Sequence, residues 1–375
     1  MAILCLSILD VAGYSQQLSF KGDVTGVRVI RRVERHSDAW RLWQPYIAQW
    51  KPRQLVVAFG AMANGKKDMG SILASGSTDD GDTWEEPTPV FDQNQRQGLI
   101  QFAYANPVLF KPAGQDVIWC FAMRCPIRYS NSEDSQLAGA FSADGGRSWT
   151  QVELAVDYGG PLILNAGVHQ AESGGQKRFL LPAHRNTLQK DPLGSRDHFV
   201  LSSSSLLEWR LEAFIPQPET GRVFLHEGNI AAGDAPGEIK MVMRTAGYED
   251  TSLTTDPPRA YSSVSKDGGH TWSAAKPEAE LYNAKSKGFF GLARNGTHIY
   301  VYNDGPARAR MALRYKTKPA GGVWSAEKTF FDAGIKNSYP TLIEVAPGDF
   351  RAVWDSGTSE TPRTHIRFGK FRIKP

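Results

Sequence analysis

Short apolar segments, separated by turn residues, follow one another along the whole chain. Val24–Val33 alternates apolar and polar side chains, which is typical of a strand with one buried face. Segments such as Gln54–Phe59 and Val117–Met123 are apolar nearly throughout and have the length of a strand. This pattern predicts an all-β fold built from short strands. Comparable segments recur at 178–181, 239–243, 298–302 and 350–354.

An octapeptide of the form Ser-x-Asp-x-Gly-x-Thr/Ser-Trp occurs three times, at Ser77–Trp84, Ser142–Trp149 and Ser265–Trp272. Its Asp side chain can accept hydrogen bonds from N–H groups of the same turn, and its Gly permits a positive φ. The Trp that ends the motif can pack beneath the turn as an apolar plug. The motif therefore predicts three turns of one shape, which we call boxes.

Two weaker boxes, Ser202–Trp209 and Thr317–Trp324, keep the seven-residue interval to the Trp but lack the Asp. The five box Trp residues are then 65, 60, 63 and 52 residues apart. A period near sixty residues, with short strands between turns, is typical of a β-propeller blade, and the chain length corresponds to about six blades. We therefore predict one six-bladed β-propeller domain over residues 1–375, closed by Val24–Val33 as the outer strand of the last blade.

Composition limits the classes of function. Charged residues make up 22% of the chain and apolar residues 41%, which is normal for a globular domain with an ample core. A net charge of +4 without clustering gives no support for binding to nucleic acid or to a membrane surface. No apolar stretch reaches the roughly eighteen residues of a membrane span.

Cysteines and the first residues add little chemistry. Cys5, Cys120 and Cys125 form neither a disulfide framework nor a metal-binding spacing, so we predict no metal and no cofactor. The apolar segment Met1–Gly13 contains Asp10 and lacks a basic start, which disfavours a signal peptide. Cytoplasmic, periplasmic and secreted locations stay open, because a leader can be removed. The oligomeric state stays open as well.

The predicted propeller brings distant polar residues together. If the boxes lie on one face, the starts of the inner strands and the ends of the second strands converge on the axis at the opposite face. A ring of arginines around carboxylates at such a place suits an anionic ligand, because guanidinium binds carboxylate through two hydrogen bonds. The inner-strand starts provide Gln44, Asn106, Glu227 and Tyr339, and the other positions provide Asp68, Arg124, His184, Arg185, Arg244, Asp304, Arg308, Arg310 and Asp355.

The boxes resemble those of the sialidase superfamily, six-bladed propellers that hydrolyse terminal sialic acids, and the resemblance covers nearly the whole chain. It implies a role for five residues. Glu227 and Arg244 resemble the family's Glu and second carboxylate-binding Arg, and Arg310-Met-Ala-Leu resembles the third Arg. Tyr339, in Asn-Ser-Tyr-Pro-Thr-Leu, resembles the Tyr nucleophile. Asp68, one short strand before the first box, resembles the acid/base Asp.

One motif departs from the family. Where the family has Phe-Arg-Ile-Pro, with the first of three arginines that bind the substrate carboxylate, this chain has Leu-Trp-Gln-Pro, and Trp43 takes the Arg position. Arg41 shares the strand face of Trp43, since residues two apart point the same way. Arg124 or Arg185 offers another way to rebuild the anion site. The departure favours an acidic sugar other than ordinary sialic acid.

The resemblance implies an exo-glycosidase of the sialidase type, which hydrolyses a terminal sialic acid or a related acidic sugar from glycoconjugates. A carboxylate on the anomeric carbon repels a carboxylate nucleophile, which a neutral Tyr avoids. We expect Tyr339 to be the nucleophile, Glu227 its base, Asp68 the acid/base, and Arg244 with Arg310 the anion clamp. The alternatives are a lyase or glycosidase for another acidic sugar, such as a uronic acid in a rhamnose-containing polysaccharide, and a non-catalytic propeller that binds glycans or proteins. In a lyase, His169, His184 or Tyr339 would be the base.

Overall fold

A computed structural model describes most of the chain. The described residues are 19–33, 39–63, 68–127, 135–164, 166–173, 176–186, 196–219, 223, 225–245, 259–283, 286–303, 310–358, 361 and 363–373. Within these ranges the chain forms 27 strands and no helix, which confirms the predicted all-β class. Four residues or segments considered above, Met1–Gly13, Cys5, Asp304 and Arg308, lie outside them.

Eight of the first ten strands form two antiparallel groups of four. Group one is β2 (Ala39–Lys51), β3 (Gln54–Ala63), β4 (Gly70–Ser77) and β5 (Thr88–Phe91), and the short β6 (Arg96–Gln97) follows it. Group two is β7 (Ile100–Phe110), β8 (Ile118–Pro126), β9 (Gln136–Ser142) and β10 (Thr150–Val152). A single pairing of Gly70 with Tyr104 joins the two groups, so that with β6 they make one nine-stranded sheet.

The next two groups repeat the same order. Group three is β13 (His169–Ser173), β14 (Gln176–Asn186), β15 (Arg196–Ser203) and β16 (Glu208–Phe214). Two short strands extend it to six: β11 (Ala155–Asp157), parallel to β16, and β12 (Ile163–Leu164), antiparallel to β14. Group four is β17 (His226–Ala232), β18 (Ile239–Arg244), β19 (Arg259–Ser265) and β20 (Lys276–Tyr282).

The last two groups complete the fold. Group five is β21 (Phe289–Leu292), β22 (His298–Asn303), β23 (Leu313–Lys318) and β24 (Lys328–Phe331). Group six is β25 (Asn337–Ala346), β26 (Asp349–Ser356) and β27 (His365–Arg372), with β1 (Thr25–Arg32) antiparallel to β27. The N-terminal strand thus lies in the last sheet, as its alternating pattern predicts. The arrangement is propeller-like, with five sheets because groups one and two share one.

Each box is the turn between the third and fourth strands of its group. In the third box the Ser265 hydroxyl donates to Asp267 Oδ1 (2.8 Å) and the Thr271 N–H donates to the same oxygen (2.9 Å). Burial alone would raise the pKa of Asp267, but hydrogen bonds from Thr271 and Ser265 outweigh it and hold the pKa at about 2. Trp272 Nε1 donates to the carbonyl of Gly269 (3.1 Å). The box is therefore a self-contained hydrogen-bonded turn with the Trp fixed below it.

The box glycines are required twice over. Gly81, Gly146 and Gly269 have φ of 84°, 89° and 92°, a backbone conformation that residues other than glycine rarely adopt. Each also packs on the group before its own: a Cβ on Gly146 would lie 2.7 Å from the Val56 side chain of group one, and one on Gly269 would lie 2.6 Å from Leu180 of group three. The boxes consequently fasten neighbouring groups of strands together.

Candidate active site

Four inner strands carry the same local irregularity. Gln44, Asn106, Glu227 and Tyr339 all have positive φ, at 47°, 56°, 48° and 54°, and the strand register shifts at each one. Three of them precede a proline and the fourth precedes Gly228, which fits a bulge because a bulge leaves an N–H outside the ladder. The bulge interrupts the alternation of an ordinary strand at these four positions, and two of the side chains, Glu227 and Tyr339, are in contact.

A second set of left-handed residues precedes the third strand in three groups. Asp68 (φ 61°) comes two residues before β4, Arg310 (φ 47°) three before β23, and Arg363 (φ 63°) two before β27. Together the two sets account for seven of the ten non-glycine residues with positive φ in the described chain. Such conformations cost roughly 1–3 kcal/mol each and concentrate at functional sites. The backbone conformation therefore indicates the same site as the chemistry of the side chains does.

A buried hydrogen-bonded chain lies at the centre. The Tyr339 hydroxyl donates to Glu227 Oε1 (3.2 Å), and Arg244 Nη1 donates to Glu227 Oε2 (2.7 Å). The three residues are only 3%, 6% and 5% exposed. Burial raises the pKa of Tyr339, and Glu227 adds to the rise, while Arg310, Arg244 and Arg363 oppose it. The phenol is consequently neutral at neutral pH and sits against a carboxylate that can take its proton.

Aromatic and guanidinium groups surround the phenol ring. Trp43 stacks on Tyr339 with ring centroids 5.6 Å apart and an interplanar angle of 22°. Arg310 Cζ lies 5.6 Å from the Tyr339 centroid and Arg363 Cζ lies 5.8 Å from it. Arg363 also lies over Trp43, with Cζ 3.9 Å from the ring centroid. Two cations thus flank the phenol, and the sequence reasoning missed Arg363.

Asp68 and Arg41 belong to the same cluster. Arg363 Nη1 lies 3.5 Å from Asp68 Oδ1, and the Asp68 side chain is 42% exposed. Burial lowers the pKa of Arg41, the neighbouring Arg363 lowers it further, and Asp68 opposes both effects. The half-exposed carboxyl therefore lies next to two guanidinium groups and remains accessible to solvent.

Asp355 and Gln44 form the floor of the site. The Gln44 N–H donates to Asp355 Oδ2 (3.2 Å) and the Ser338 hydroxyl donates to Oδ1. Asp355 is 1% exposed, and burial raises its pKa, although Arg363, Ser338, the Gln44 N–H and Arg310 counteract that rise. These bonds tie β2 of group one to β25 and β26 of group six directly beneath Tyr339. Asp355 supports the site from below.

A buried lysine completes the floor. Lys287 Nζ donates to Thr341 Oγ1 (3.4 Å) and lies 5.6 Å and 6.0 Å from the ring centroids of Tyr46 and Tyr339. Burial lowers the pKa of Lys287 to about 8, against the attraction of Glu227 and Asp355. Sequence reasoning missed this residue too. The available signal was its place just before inner strand β21, equivalent to the starts of the other inner strands.

The two arginines predicted as substitutes for the missing family Arg lie elsewhere. Arg185 donates twice to Asp197 Oδ2 (3.1 and 2.9 Å), within group three. Arg124 donates to Gln136 Oε1 (3.2 Å) and covers the ring of Phe102 at 4.9 Å, within group two. Neither contacts Tyr339 or Glu227 in the described part of the chain. Each is held by its own sheet.

Asn106 and His184 are both buried. Asn106 is 6% exposed and shares the bulge conformation of Glu227. The His184 ring lies 5.1 Å from that of His226, the residue before Glu227, and 6.1 Å from that of His198. His198 Nε2 accepts a hydrogen bond from the Gly228 N–H (2.9 Å). The histidines therefore buttress the Glu227 bulge.

Basic groups outnumber carboxyl groups in the cluster around Tyr339, which favours an anionic ligand. The basic residues are Arg41, Arg244, Lys287, Arg310 and Arg363, and the carboxyls are Asp68, Glu227 and Asp355.

No group of His, Cys, Asp and Glu suited to a metal ion occurs among the described residues. None of the described segments is a helix long and apolar enough to cross a membrane.

The structure resembles solved glycosidases over most of its length. It matches the NanB sialidase of Streptococcus pneumoniae with a TM-score of 0.68 at 11% identity, over 93% of this chain and 71% of that one. A leech intramolecular trans-sialidase gives 0.68 at 14%, over 92% and 70%. The α-L-arabinofuranosidase Arb93A of Fusarium graminearum gives 0.63 at 12%, over 94% and 98%. At these identities the likeness shows the fold and not the substrate.

The sequence itself matches a family. No curated protein matches the chain. Residues 53–358, however, match the BNR repeat-like domain, and this range includes all five boxes. The match covers well over half of the chain, and it agrees with the sialidase-like solved structures. The chain therefore belongs to the BNR repeat-like family and has a sialidase-like fold.

Proposed function

We propose that the protein is an exo-glycosidase that releases a terminal acidic sugar, sialic acid or a related one, with Tyr339 as nucleophile. The observation that carries the proposal is the buried chain from Tyr339 through Glu227 to Arg244. A phenol held against a carboxylate is the arrangement that an activated nucleophile needs. The glycosidases among the similar solved structures support the reaction class.

In the proposed reaction Tyr339 Oη attacks the anomeric carbon while its proton passes to Glu227 Oε1. Asp68 gives a proton to the glycosidic oxygen, the bond from the anomeric carbon to that oxygen breaks, and the alcohol departs. Asp68 then takes a proton from water, whose oxygen attacks the anomeric carbon and displaces Tyr339, which recovers its proton from Glu227. Two displacements at one carbon retain its configuration. Arg244 pairs with Glu227 and, with Arg310, receives the sugar carboxylate.

The proposal includes a ring of six blades in a single domain over residues 1–375. The six groups of four strands support the count, and the box contacts support closure. As the second box packs on group one and the third on group three, the first box packs on group six: a Cβ on Gly81 would lie 2.2 Å from the Phe368 ring. Arg351 of β26 donates to both oxygens of Asp80 in that box (2.8 and 2.7 Å). Group six therefore lies next to group one, as group one lies next to group two.

Tyr339→Phe tests the nucleophile. We expect kcat on a fluorogenic sialic acid aryl glycoside to fall by at least about a hundredfold, because the phenol oxygen forms the covalent intermediate. The fold should stay intact, as shown by circular dichroism and an unchanged melting temperature within a few degrees. Tyr261→Phe, at a buried tyrosine in the core of group four, is the matched control and should keep full activity. Near-normal turnover by Tyr339→Phe would exclude Tyr339 as nucleophile.

A lyase or glycosidase for a uronic acid is the second candidate. Trp43 at the position of the family's first Arg favours it, because this side chain changes the shape of the anion site. Assays with uronic acid aryl glycosides and with uronate polysaccharides distinguish the two: free sugar indicates hydrolysis, and a product with the ultraviolet absorbance of an unsaturated uronate indicates a lyase. Binding on a glycan array without turnover of any substrate would indicate a non-catalytic glycan-binding propeller.

A further inference from the structure

Arg363 is a buried cation with weak pairing. It is 8% exposed, its nearest carboxylate oxygen lies 3.5 Å away on the half-exposed Asp68, and its Nε has no hydrogen-bond partner among the described residues. Asp355, the other carboxyl near it, is already committed to the Gln44 N–H and the Ser338 hydroxyl. A buried charge is costly unless it is compensated. Arg363 therefore has no closely paired anion among the described residues, and a bound anion would compensate its charge.

The surroundings of Arg363 orient it toward the phenol. Its Cζ lies 3.9 Å from the Trp43 ring centroid, so the indole face carries the guanidinium as a platform. A guanidinium stacked in this way keeps the edges of its plane for hydrogen bonds, which suits a planar carboxylate. The same Cζ lies 5.8 Å from the Tyr339 ring, and Arg310 Cζ lies 5.6 Å from it. Both cations are within reach of a sugar that occupies the space over Tyr339.

Backbone strain supports a role in binding. Arg363 has φ of 63° two residues before β27, and Arg310 has φ of 47° three residues before β23, the corresponding strand of group five. A turn at this position would be less strained with glycine, so the fold alone gives no reason for an arginine. Two neighbouring sheets thus present a guanidinium from equivalent strained positions.

We infer that Arg363, carried on Trp43, is the third arginine of the anion clamp and makes the site selective for sugars that bear a carboxylate. The inference rests on the proposed function, since it concerns the same ligand. It places the clamp on groups four, five and six, with Arg244, Arg310 and Arg363. Trp43 of group one then forms an apolar wall where the resemblance to sialidases predicts the first arginine.

Binding of monosaccharides tests the inference without turnover. The probes are N-acetylneuraminic acid, glucuronic acid and galacturonic acid, each beside its own methyl ester, titrated calorimetrically into the full-length protein. We expect the wild type to bind at least one acid about tenfold or more tightly than its ester, because the ester removes the charge. Arg363→Gln should reduce that ratio to within about twofold, and Arg363→Lys should restore part of it.

Two further variants separate binding from folding. Arg363→Gly should lose the acid preference while keeping or raising the melting temperature, because glycine relieves the positive φ. Arg372→Gln is the matched control in the same sheet, since its side chain is 75% exposed and pairs only with Asp349 among the described residues. It should keep the wild-type ratio.

The outcomes distinguish this inference from the proposed function. An acid preference that survives in Arg363→Gln, or that is absent from the wild type for all three acids, overturns the role of Arg363. A preference that depends on Arg363, in a protein that hydrolyses no acidic glycoside, upholds the clamp and overturns the glycosidase. Hydrolysis that needs Tyr339, together with an unchanged ratio in Arg363→Gln, upholds the glycosidase and overturns the role of Arg363 in the clamp.

Discussion

At the scale of single residues, the site is built from side chains that lie far apart in the chain. Glu227, Arg244 and Tyr339 lie beside inner and second strands, and the structure joins them through hydrogen bonds. Arg363 follows the second strand of a group that lacks a box, so nothing nearby draws attention to it. Its partner Trp43 comes from the opposite end of the chain, and a contact across 320 residues has no local signal.

Arg124 and Arg185 have partners within their own sheets. Both follow the second strand of a group, where sequence reasoning expects a ligand-binding arginine. The structure pairs Arg185 with Asp197 of the adjacent strand instead. The sequence separation of twelve residues suits a hairpin pair, and that local partner competes with a role at the hub.

Lys287 gives a prediction about pH at the scale of one residue. Burial lowers its pKa from an ordinary 10.5 to about 8, so between these values the unfolded chain binds a proton that the folded chain does not. The folded state therefore gains stability as pH rises from about 8 to about 10.5, by up to about 3 kcal/mol relative to a variant without the amine. Urea unfolding of the wild type and Lys287→Met at pH 7.5, 9 and 10 measures this difference. A difference that stays constant over that range contradicts the burial of a charged amine.

At the scale of elements, the boxes are predictable because their bonds are local. The Asp, Ser and Thr of one octapeptide satisfy one another, whereas the glycine packs on a neighbouring group. The weaker box at Ser202–Trp209 shows how the turn survives without its Asp. Leu206 takes the left-handed position with φ of 69°, its N–H donates to Ser203 Oγ (2.8 Å), and Trp209 Nε1 donates to its carbonyl (2.9 Å).

The first box offers a matched pair of variants. Asp79→Ala removes the acceptor for Ser77 Oγ (2.9 Å), the Thr83 N–H (2.9 Å) and Thr83 Oγ1 (2.6 Å), and we expect it to lower the free energy of unfolding by about 2 kcal/mol. Asp82→Ala, in the same octapeptide, removes only an exposed ion pair with Lys370 and should cost less than about 0.5 kcal/mol. Chemical denaturation of both proteins gives the comparison. Equal losses would show that the box carboxylate has no special part in the turn.

At the scale of the whole molecule, the order of strands is predictable but the joins between sheets are not. The period of the boxes predicts repeated groups of four strands. The pairing of Gly70 with Tyr104, which merges two groups, depends on how closely neighbouring inner strands approach. The short strands β11 and β12 likewise come from connecting segments, which pair with β16 and β14 of group three. Such contacts are set by packing, and no repeat in the sequence encodes them.

Buried histidines predict acid sensitivity for the whole molecule. Burial lowers the pKa of His198 to about 3 from an ordinary 6.5, and it lowers the pKa of His169 and His365 to about 4. Below pH 6.5 the unfolded chain gains protons that the folded chain refuses, so stability falls as pH falls toward those values. His198 alone should contribute a loss of about 2 kcal/mol between pH 7 and pH 5.

The variant His198→Gln tests this contribution, because the Gln carbonyl can still accept the Gly228 N–H in place of Nε2. The fall in the free energy of unfolding between pH 7 and pH 5 should be about 2 kcal/mol smaller than in the wild type. His270→Gln, at a half-exposed histidine of the third box, should not lessen that fall. Identical acid profiles for His198→Gln and the wild type would contradict the prediction.

The left-handed conformation of the hub residues also bears on how such a protein changes over generations. In the proposed enzyme, a mutation of Glu227, Tyr339 or Arg310 to glycine would remove a reactive group while it relieves the positive φ at that position. The fold could therefore persist after the chemistry is lost, and few substitutions would separate such an enzyme from a descendant that only binds its ligand.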